Sequence, residues 1–331
     1  MKKIPVLAVI LSGLATTAAA TEVTQLSLPA DHSWQALAVP NTGTIWLGSS
    51  QGHVARSVDN SDDWDIFEPG GSGNVLNVRQ ILALDERQAY ALSTGRGERS
   101  RLMHTRNGGG RWDRLHRANG DEHLRCFDMI PDGEAWILGD TVNDNWHAVR
   151  SSSGSRWMGT RSGFARSALP SEGASDRGHQ CVRFENDTWA MGTMGASTAR
   201  LIYKSRNSLR FQVVDTPVSA GSDSGIHAVY PMSTNNILVA GGRDNPELFR
   251  YEGNDFSELS PTHLLEGALT VLKVVDGRLL TGNESGLLYS YNMGEDWHEV
   301  DISGVTALSC PTGTDACWAI DSAQQLQQIT W

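Results

Sequence analysis

Apolar residues recur along this chain in short runs separated by clusters of Gly, Asn, Asp and Ser, and few segments keep a helical period beyond two turns. That is the pattern of strands joined by tight turns, so the chain is predicted to be all-β. The runs come in pairs. An inner run reads WQALAVP, RQILALD, RCFDMIP, QCVRFE, HAVYPM, VLKVVD and TALSCP in turn. Each is followed by a second: TIWLGS, AYALST, AWILGD, TWAMGT, NILVAGG, RLLTGN and CWAID. A third run then leads into a small polar turn and an aromatic residue. The aromatics fall at 64, 112, 157, 211, 256 and 297, a spacing of 41 to 54 residues. Seven inner runs at about the period of a four-stranded unit predict a seven-bladed β-propeller of antiparallel blades. The last unit has room for three strands before Trp331, and TEVTQLSLP (21–29) precedes the first. The N-terminal strand is therefore expected to close the last blade, leaving no open edge. The blades are placed at roughly 31–70, 76–118, 122–165, 177–216, 222–260, 267–301 and 302–331 plus 21–29, as one propeller spanning 21–331.

The turn before each aromatic has a recurring frame. In SYNMGEDW it is Ser290, Asn292, Gly294 and Trp297; in SVDNSDDW it is Ser57, Asp59 and Trp64. TRNGGGRW supplies Thr105, Asn107, Gly109 and Trp112, and RSSSGSRW supplies Ser152, Gly154 and Trp157. Short polar side chains bond nearby backbone, glycine accepts a positive φ, and the aromatic inserts into the blade. Copies spread around a ring cannot all be one active site, so these residues read as scaffold.

The frame resembles the Asp-box (BNR) repeats of sialidases and sortilins. With the leader and seven units, the stretches GRGERSRLMHTRNGGGRW (95–112) and VVDTPVSAGSDSGIHAVYP (213–231) resemble exported bacterial propellers related to the photosystem II assembly and stability factor family. The resemblance implies a propeller that binds protein during assembly of a membrane complex. Sialidases, the catalytic comparison, have six blades and an Arg-Ile-Pro signature that this chain lacks, and no tyrosine here has a convincing glutamate partner in the local sequence.

Composition sets the compartment. Residues 1–20 carry two lysines, an apolar run and a small-residue end, which reads as a secretory signal cleaved after Ala20 and a periplasmic or secreted product. The formal charge is −11, and −13 once Lys2 and Lys3 are removed, which disfavours nucleic acid as a partner. No later stretch is long and apolar enough for a membrane helix, so an integral membrane protein is not expected. Cys310 and Cys317 flank PTGTDA and are a disulfide candidate in an oxidising compartment. Cys126 and Cys181 occupy equivalent positions on neighbouring inner runs. Equivalent faces should point the same way around the ring, so this pair is expected as buried small hydrophobes.

Candidate chemistry is sparse. There is no nucleophile elbow, zinc pair, phosphate loop or calcium loop, and no cofactor or metal is expected. Aligning the inner runs puts Gln35, Arg79, Arg125, Gln180, His227, Thr270 and Thr306 in one polar column, two residues ahead of an apolar one. Such a ring at a channel mouth offers Arg79 and Arg125 as donors to an anionic group, or serves only to solvate the channel. Asp128, Arg183 and Lys273 form a second charged set that reads as local ion pairing. Blade two is basic, with Arg96, Arg99, Arg101, Arg106, Arg111, Arg114 and Arg117 against Glu98 and Asp113. That local field suits an acidic protein segment or anionic lipid headgroups. The reading is a non-catalytic monomeric scaffold that binds a protein partner, an assembly or stability factor for an envelope or membrane complex. The alternative is a glycan-active hydrolase or lyase, sialidase-like, using the channel face.

Overall fold

The computed structural model describes residues 21–40, 43–59, 63–71 and 73–331; the expected signal at 1–20 lies outside them. Seven four-stranded antiparallel blades surround a central axis, as predicted. Their inner strands are Trp34–Ala38, Asn77–Ala83, Leu124–Met129, Val182–Glu185, Gly225–Ser233, Val271–Val275 and Ala307–Ser309. The N-terminal strand Glu22–Leu26 pairs with Leu326–Thr330, from Glu22 opposite Thr330 to Leu26 opposite Leu326, and so completes the seventh blade. Among the described residues the only helix is one 3-10 turn, Gly97–Arg99.

The second strand of each blade explains the continuous apolar runs. Ile45–Ser49, Ala89–Thr94 and Thr188–Met194 are buried at every residue, because both faces of a blade pack on neighbouring blades. Close blade contact also fixes a glycine: a Cβ at Gly48 would stand 2.7 Å from Val78 Cγ1 of the next blade. Aromatics fill the wider outer space, as where Trp136, Trp189, Phe164 and Phe211 form one cluster between blades three and four.

Four inner strands carry a β-bulge near their start. The register shifts between Trp34 and Ala36, Val78 and Gln80, Leu124 and Cys126, and Ile226 and Ala228. The extra residues are Gln35, Arg79, Arg125 and His227, four members of the polar column. A bulge leaves one residue unpaired and re-aims it, which is how these four side chains come to face the axis.

The expectation for Cys126 and Cys181 is overturned. They form a disulfide with Cα atoms 5.8 Å apart and neither sulfur-bearing residue exposed. Cys126 directly follows a bulge, so simple alternation does not set its direction, and Cys181 lies just ahead of its strand. Near the axis the starts of neighbouring inner strands also converge. Cys310 and Cys317 are bonded as well, with Cα atoms 4.2 Å apart.

One connection departs from the rest. Twenty-one residues separate Thr160, the end of blade three, from Val182, whereas six separate Arg117 from Leu124. Inside this long segment Gly173–Ala174 pairs with Thr193 and Met194 of blade four. The segment then turns inward toward the axis.

Candidate functional site

Residues 175–179 cross the centre of the ring and reach six blades besides their own. Ser175 Oγ lies 2.8 Å from His227 Nδ1 of blade five. The carbonyls of Asp176 and Arg177 accept from Arg79 Nη2 of blade two. Gly178 is wedged so that a Cβ would fall 2.7 Å from the Thr270 carbonyl of blade six, and its own carbonyl is 3.9 Å from Cys126 Sγ of blade three. His179 sits beside the backbone of Gln35 and Thr306, in blades one and seven. Gln180 then accepts from Leu272 N at 2.7 Å through Oε1 and from Val229 N at 3.0 Å through its carbonyl. The channel is therefore plugged by its own chain.

The plug is held at both ends. Cys181 is tied to Cys126. Upstream, Glu172, with no exposed surface, pairs with Arg200, which is 1% exposed. Glu172 also accepts from Thr193 Oγ1 at 2.8 Å and Leu169 N at 2.8 Å, while Arg200 reaches the Ser167 carbonyl at 2.9 Å. A buried carboxylate and guanidinium are tolerated here because nearly every polar atom has a partner.

The plug divides the channel into two cavities, with His179 and Thr270 bordering both. The mouth cavity holds about 640 Å3 and is polar, bounded by Gln35, Arg79, Asp176, Arg177, Glu266, Glu284 and neighbouring hydroxyls and amides. Arg177, Glu266 and Glu284 are exposed, and their side chains have no hydrogen-bond or ion-pair partner among the described residues. The inner cavity is smaller, about 180 Å3, and mixes apolar walls with Asp128, Arg183 and Lys273.

The members of the polar column are largely occupied by internal bonds. Gln35 Nε2 donates to Asn77 Oδ1 and, at 3.1 Å, to the Val78 carbonyl. Arg125 makes a bidentate pair with Asp140, at 3.0 Å from Nε and 2.8 Å from Nη2. Burial opposes ionisation of Asp140, yet His123 and Arg125 hold its carboxyl below the usual range. Burial, with the Arg177 charge added, lowers His227 to about 4, and burial beside Arg79 lowers His179 to about 3. Both imidazoles are neutral at pH 7. Burial takes Arg79 down to about 10, so it stays charged. Arg79 and Arg125 thus face different partners and do not form one anion clamp.

The second charged set lies around the inner cavity and includes Glu185. Its carboxylate accepts from Arg183 at 2.5 Å and from Lys273 at 3.3 Å. Asp128 accepts from Met129 N at 2.9 Å and Phe184 N at 2.7 Å, and burial pushes its carboxyl up. Burial, then repulsion from Arg183, brings Lys273 down to about 8. Tyr230 completes the group, with its hydroxyl committed to the Val274 carbonyl at 2.9 Å.

The polar turns are built by local bonds. Thr105 Oγ1 accepts from Gly109 N at 2.9 Å and Asn107 Oδ1 from Arg111 N at 2.9 Å. Ser290 Oγ accepts from Gly294 N at 2.8 Å and Asn292 Oδ1 from Asp296 N at 2.9 Å, the same arrangement. In blade three the acceptor is Ser151, which takes Gly154 N at 2.8 Å, while Ser152 points to solvent. That turn is one residue tighter, so the acceptor falls outside the fixed frame, in which Ser152 takes the place of Asn107 and Asn292. Ser57 is buried, Asp59 has a φ of 60°, and Trp64, Trp112, Trp157 and Trp297 pack against blade cores.

The blade-two arginines are not one patch. Arg96 precedes and Arg99 ends the 3-10 turn beside the connection to blade three, where Arg96 is 3.5 Å from Asp121. Arg106 and Arg111 lie in the turn between the third and fourth strands, at the other end of the blade. Arg101 is on the third strand, with Nε donating to the Glu98 carbonyl at 2.6 Å. Among the described residues no group of His, Cys, Asp or Glu is arranged to hold a metal, and no helix is long and apolar enough to cross a membrane.

Sequence reasoning missed the plug residues Ser175, Asp176, Arg177, Gly178 and His179 and their anchors Glu172 and Arg200. The signal was the length of the connection after Thr160, since long ordered loops in compact folds are uncommon and usually have a task.

No protein-family model and no curated protein sequence matches the chain. Solved structures do. YCF48 from Cyanidioschyzon merolae is 12% identical with a TM-score of 0.63, over 93% of this chain and 98% of that one. YCF48 bound to D1 peptide is 11% identical with a TM-score of 0.63, over 94% and 95%. BamB from Moraxella catarrhalis is 10% identical with a TM-score of 0.59, over 92% and 87%. At such identities the likeness is one of fold.

Proposed function

We propose that this chain is a non-catalytic scaffold, exported to the periplasm, that holds a protein partner over the plugged mouth of its channel and serves assembly or stability of an envelope complex. The observation that carries the reading is the plug. It closes the channel from within, so the mouth is a broad polar bowl whose unpaired Arg177, Glu266 and Glu284 face outward. A protein segment can satisfy charges of both signs at once, which suits such a surface. The leader-like residues 1–20 support export, and the Thr105 and Ser290 turns support grouping these blades with BNR repeats. The fold shared with a YCF48 structure that contains a D1 peptide is consistent with a propeller that takes up protein chain.

The enzyme alternative has less to stand on. Asp128, Arg183 and Lys273 do meet at the inner cavity, with Glu185 and Tyr230 next to them, but Asp128, Glu185 and Tyr230 are all committed to internal partners. The test is capture from an envelope extract with wild type, Arg177→Ala/Glu284→Ala and Arg79→Ala. A defined set of proteins retained by wild type and lost in the first variant supports the reading. Retention indifferent to the mouth variants, or turnover of an envelope glycan by purified protein, overturns it.

A further inference from the structure

We propose that the outer groove between blades one and two is a second docking site, for an acidic protein segment carrying an apolar side chain. This site is separate from the channel mouth and does not depend on the reading above. The groove encloses about 450 Å3, within the range of ordinary ligand clefts. Its apolar part is Phe67, Met103 and the half-buried Trp112. The Phe67 ring lies directly on Gly109, whose φ of +98° and missing Cβ leave room for it. The turn that carries Gly109 thus builds a flat aromatic floor.

Its charged part is predominantly basic. Arg101, Arg111 and Arg114 converge on the groove, against Glu68, which is 3.9 Å from His53. Arg114 is exposed and has no partner among the described residues. Among the described residues the Arg111 guanidinium has only the exposed Asp113, two residues away at 3.0 Å. The strand pairing adds to the imbalance. Arg101 stands directly opposite Arg117, and Arg114 opposite Met103, so two arginines are cross-strand neighbours, and of the two only Arg117 has a carboxylate partner among the described residues, Glu98 at 3.2 Å. Like charges in that relation are unfavourable, and a ligand bringing carboxylates relieves them.

The same argument selects the occupant. An apolar partner would desolvate guanidinium groups without pairing them, whereas carboxylates match the planar fork two bonds at a time. The aromatic floor asks for an apolar group between the acids. In a chain whose formal charge is −11, this local reversal of sign also steers an acidic segment to one place.

The test is fluorescence anisotropy with a labelled pentapeptide of four glutamates around a central phenylalanine. Parallel probes carry glutamine for glutamate, or alanine for phenylalanine. Wild type binds the acidic probe and loses affinity between about 20 and 200 mM salt, as screening requires. Arg111→Ala/Arg114→Ala, two exposed positions whose loss leaves the fold intact, weakens binding about tenfold or more. Arg96→Ala/Arg99→Ala and Arg177→Ala/Glu284→Ala leave it unchanged. The proposal fails if wild type does not bind the acidic probe, if the glutamine probe binds equally, or if the Arg111/Arg114 variant matches wild type. Displacement of the peptide by phosphatidylglycerol vesicles at equal charge would assign the groove to lipid and also overturn it.

Discussion

Removing the Cys126–Cys181 bond tests whether the plug is anchored as described. The two cysteines are 55 residues apart in sequence, against 7 for Cys310 and Cys317. Cross-linking lowers the entropy of the unfolded chain by an amount that grows with the logarithm of loop length, giving about 4 kcal/mol for the first bond and about 2 kcal/mol for the second. Cys126→Ala/Cys181→Ala should therefore cost about twice as much as Cys310→Ala/Cys317→Ala. Alanine is the replacement because both positions at the first bond are sealed from solvent, where a serine hydroxyl would lack a partner. The assay is urea unfolding followed by tryptophan fluorescence and far-ultraviolet circular dichroism, whose coincidence licenses a single free energy. Hydrogen exchange across residues 174–180 supplies the local readout: it should quicken in the first variant and not in the second. Equal losses in the two variants, or a loss below about 1 kcal/mol with unchanged exchange in the plug, would refute the reasoning.

Three further outcomes follow from the same contacts. Glu172→Gln strands the buried Arg200 charge and should cost about 3–5 kcal/mol by urea unfolding, far more than Arg166→Gln, which breaks an exposed pair with Asp215. Thr105→Ala and Ser290→Ala each remove a side-chain acceptor of turn N–H groups and should each cost about 1 kcal/mol, with Ser152→Ala neutral and Ser151→Ala resembling the first two. His227 is lowered to about 4 and His179 to about 3, so the unfolded chain binds protons at these sites below its ordinary value near 6.5 while the folded chain does not. Stability is accordingly full above pH 6.5 and falls as the pH drops toward 4; thermal melts across this window should show the slope, and His227→Gln should flatten it.

The parts of this molecule legible in its sequence are those governed by period. Seven inner runs, seven almost wholly buried second runs and a spare N-terminal strand follow from burial and pairing alone, and the propeller is the way to satisfy them without an open edge. The polar column was legible because Gln35, Arg79, Arg125 and His227 each stand two residues ahead of an apolar position. What could not be read is that they are bulges, since an unpaired residue has no signature in an alternating pattern. That omission propagates. With strict alternation Cys126 faces away from Cys181; one bulged residue earlier in the strand turns it onto its partner. The same blindness to a local change of length hid the blade-three turn acceptor Ser151, which a turn one residue shorter puts outside the fixed frame. The plug was hidden for a different reason: Ser175 to His179 are ordinary polar loop residues, and their position on the axis is decided by partners on six other blades. A column of donors around a channel is therefore open to a ligand only if no segment of the chain already fills the centre, and here the long connection after Thr160 fills it. Exposed arginines that no internal segment of this kind reaches include Arg114 on the outer groove and Arg177 on the plug itself.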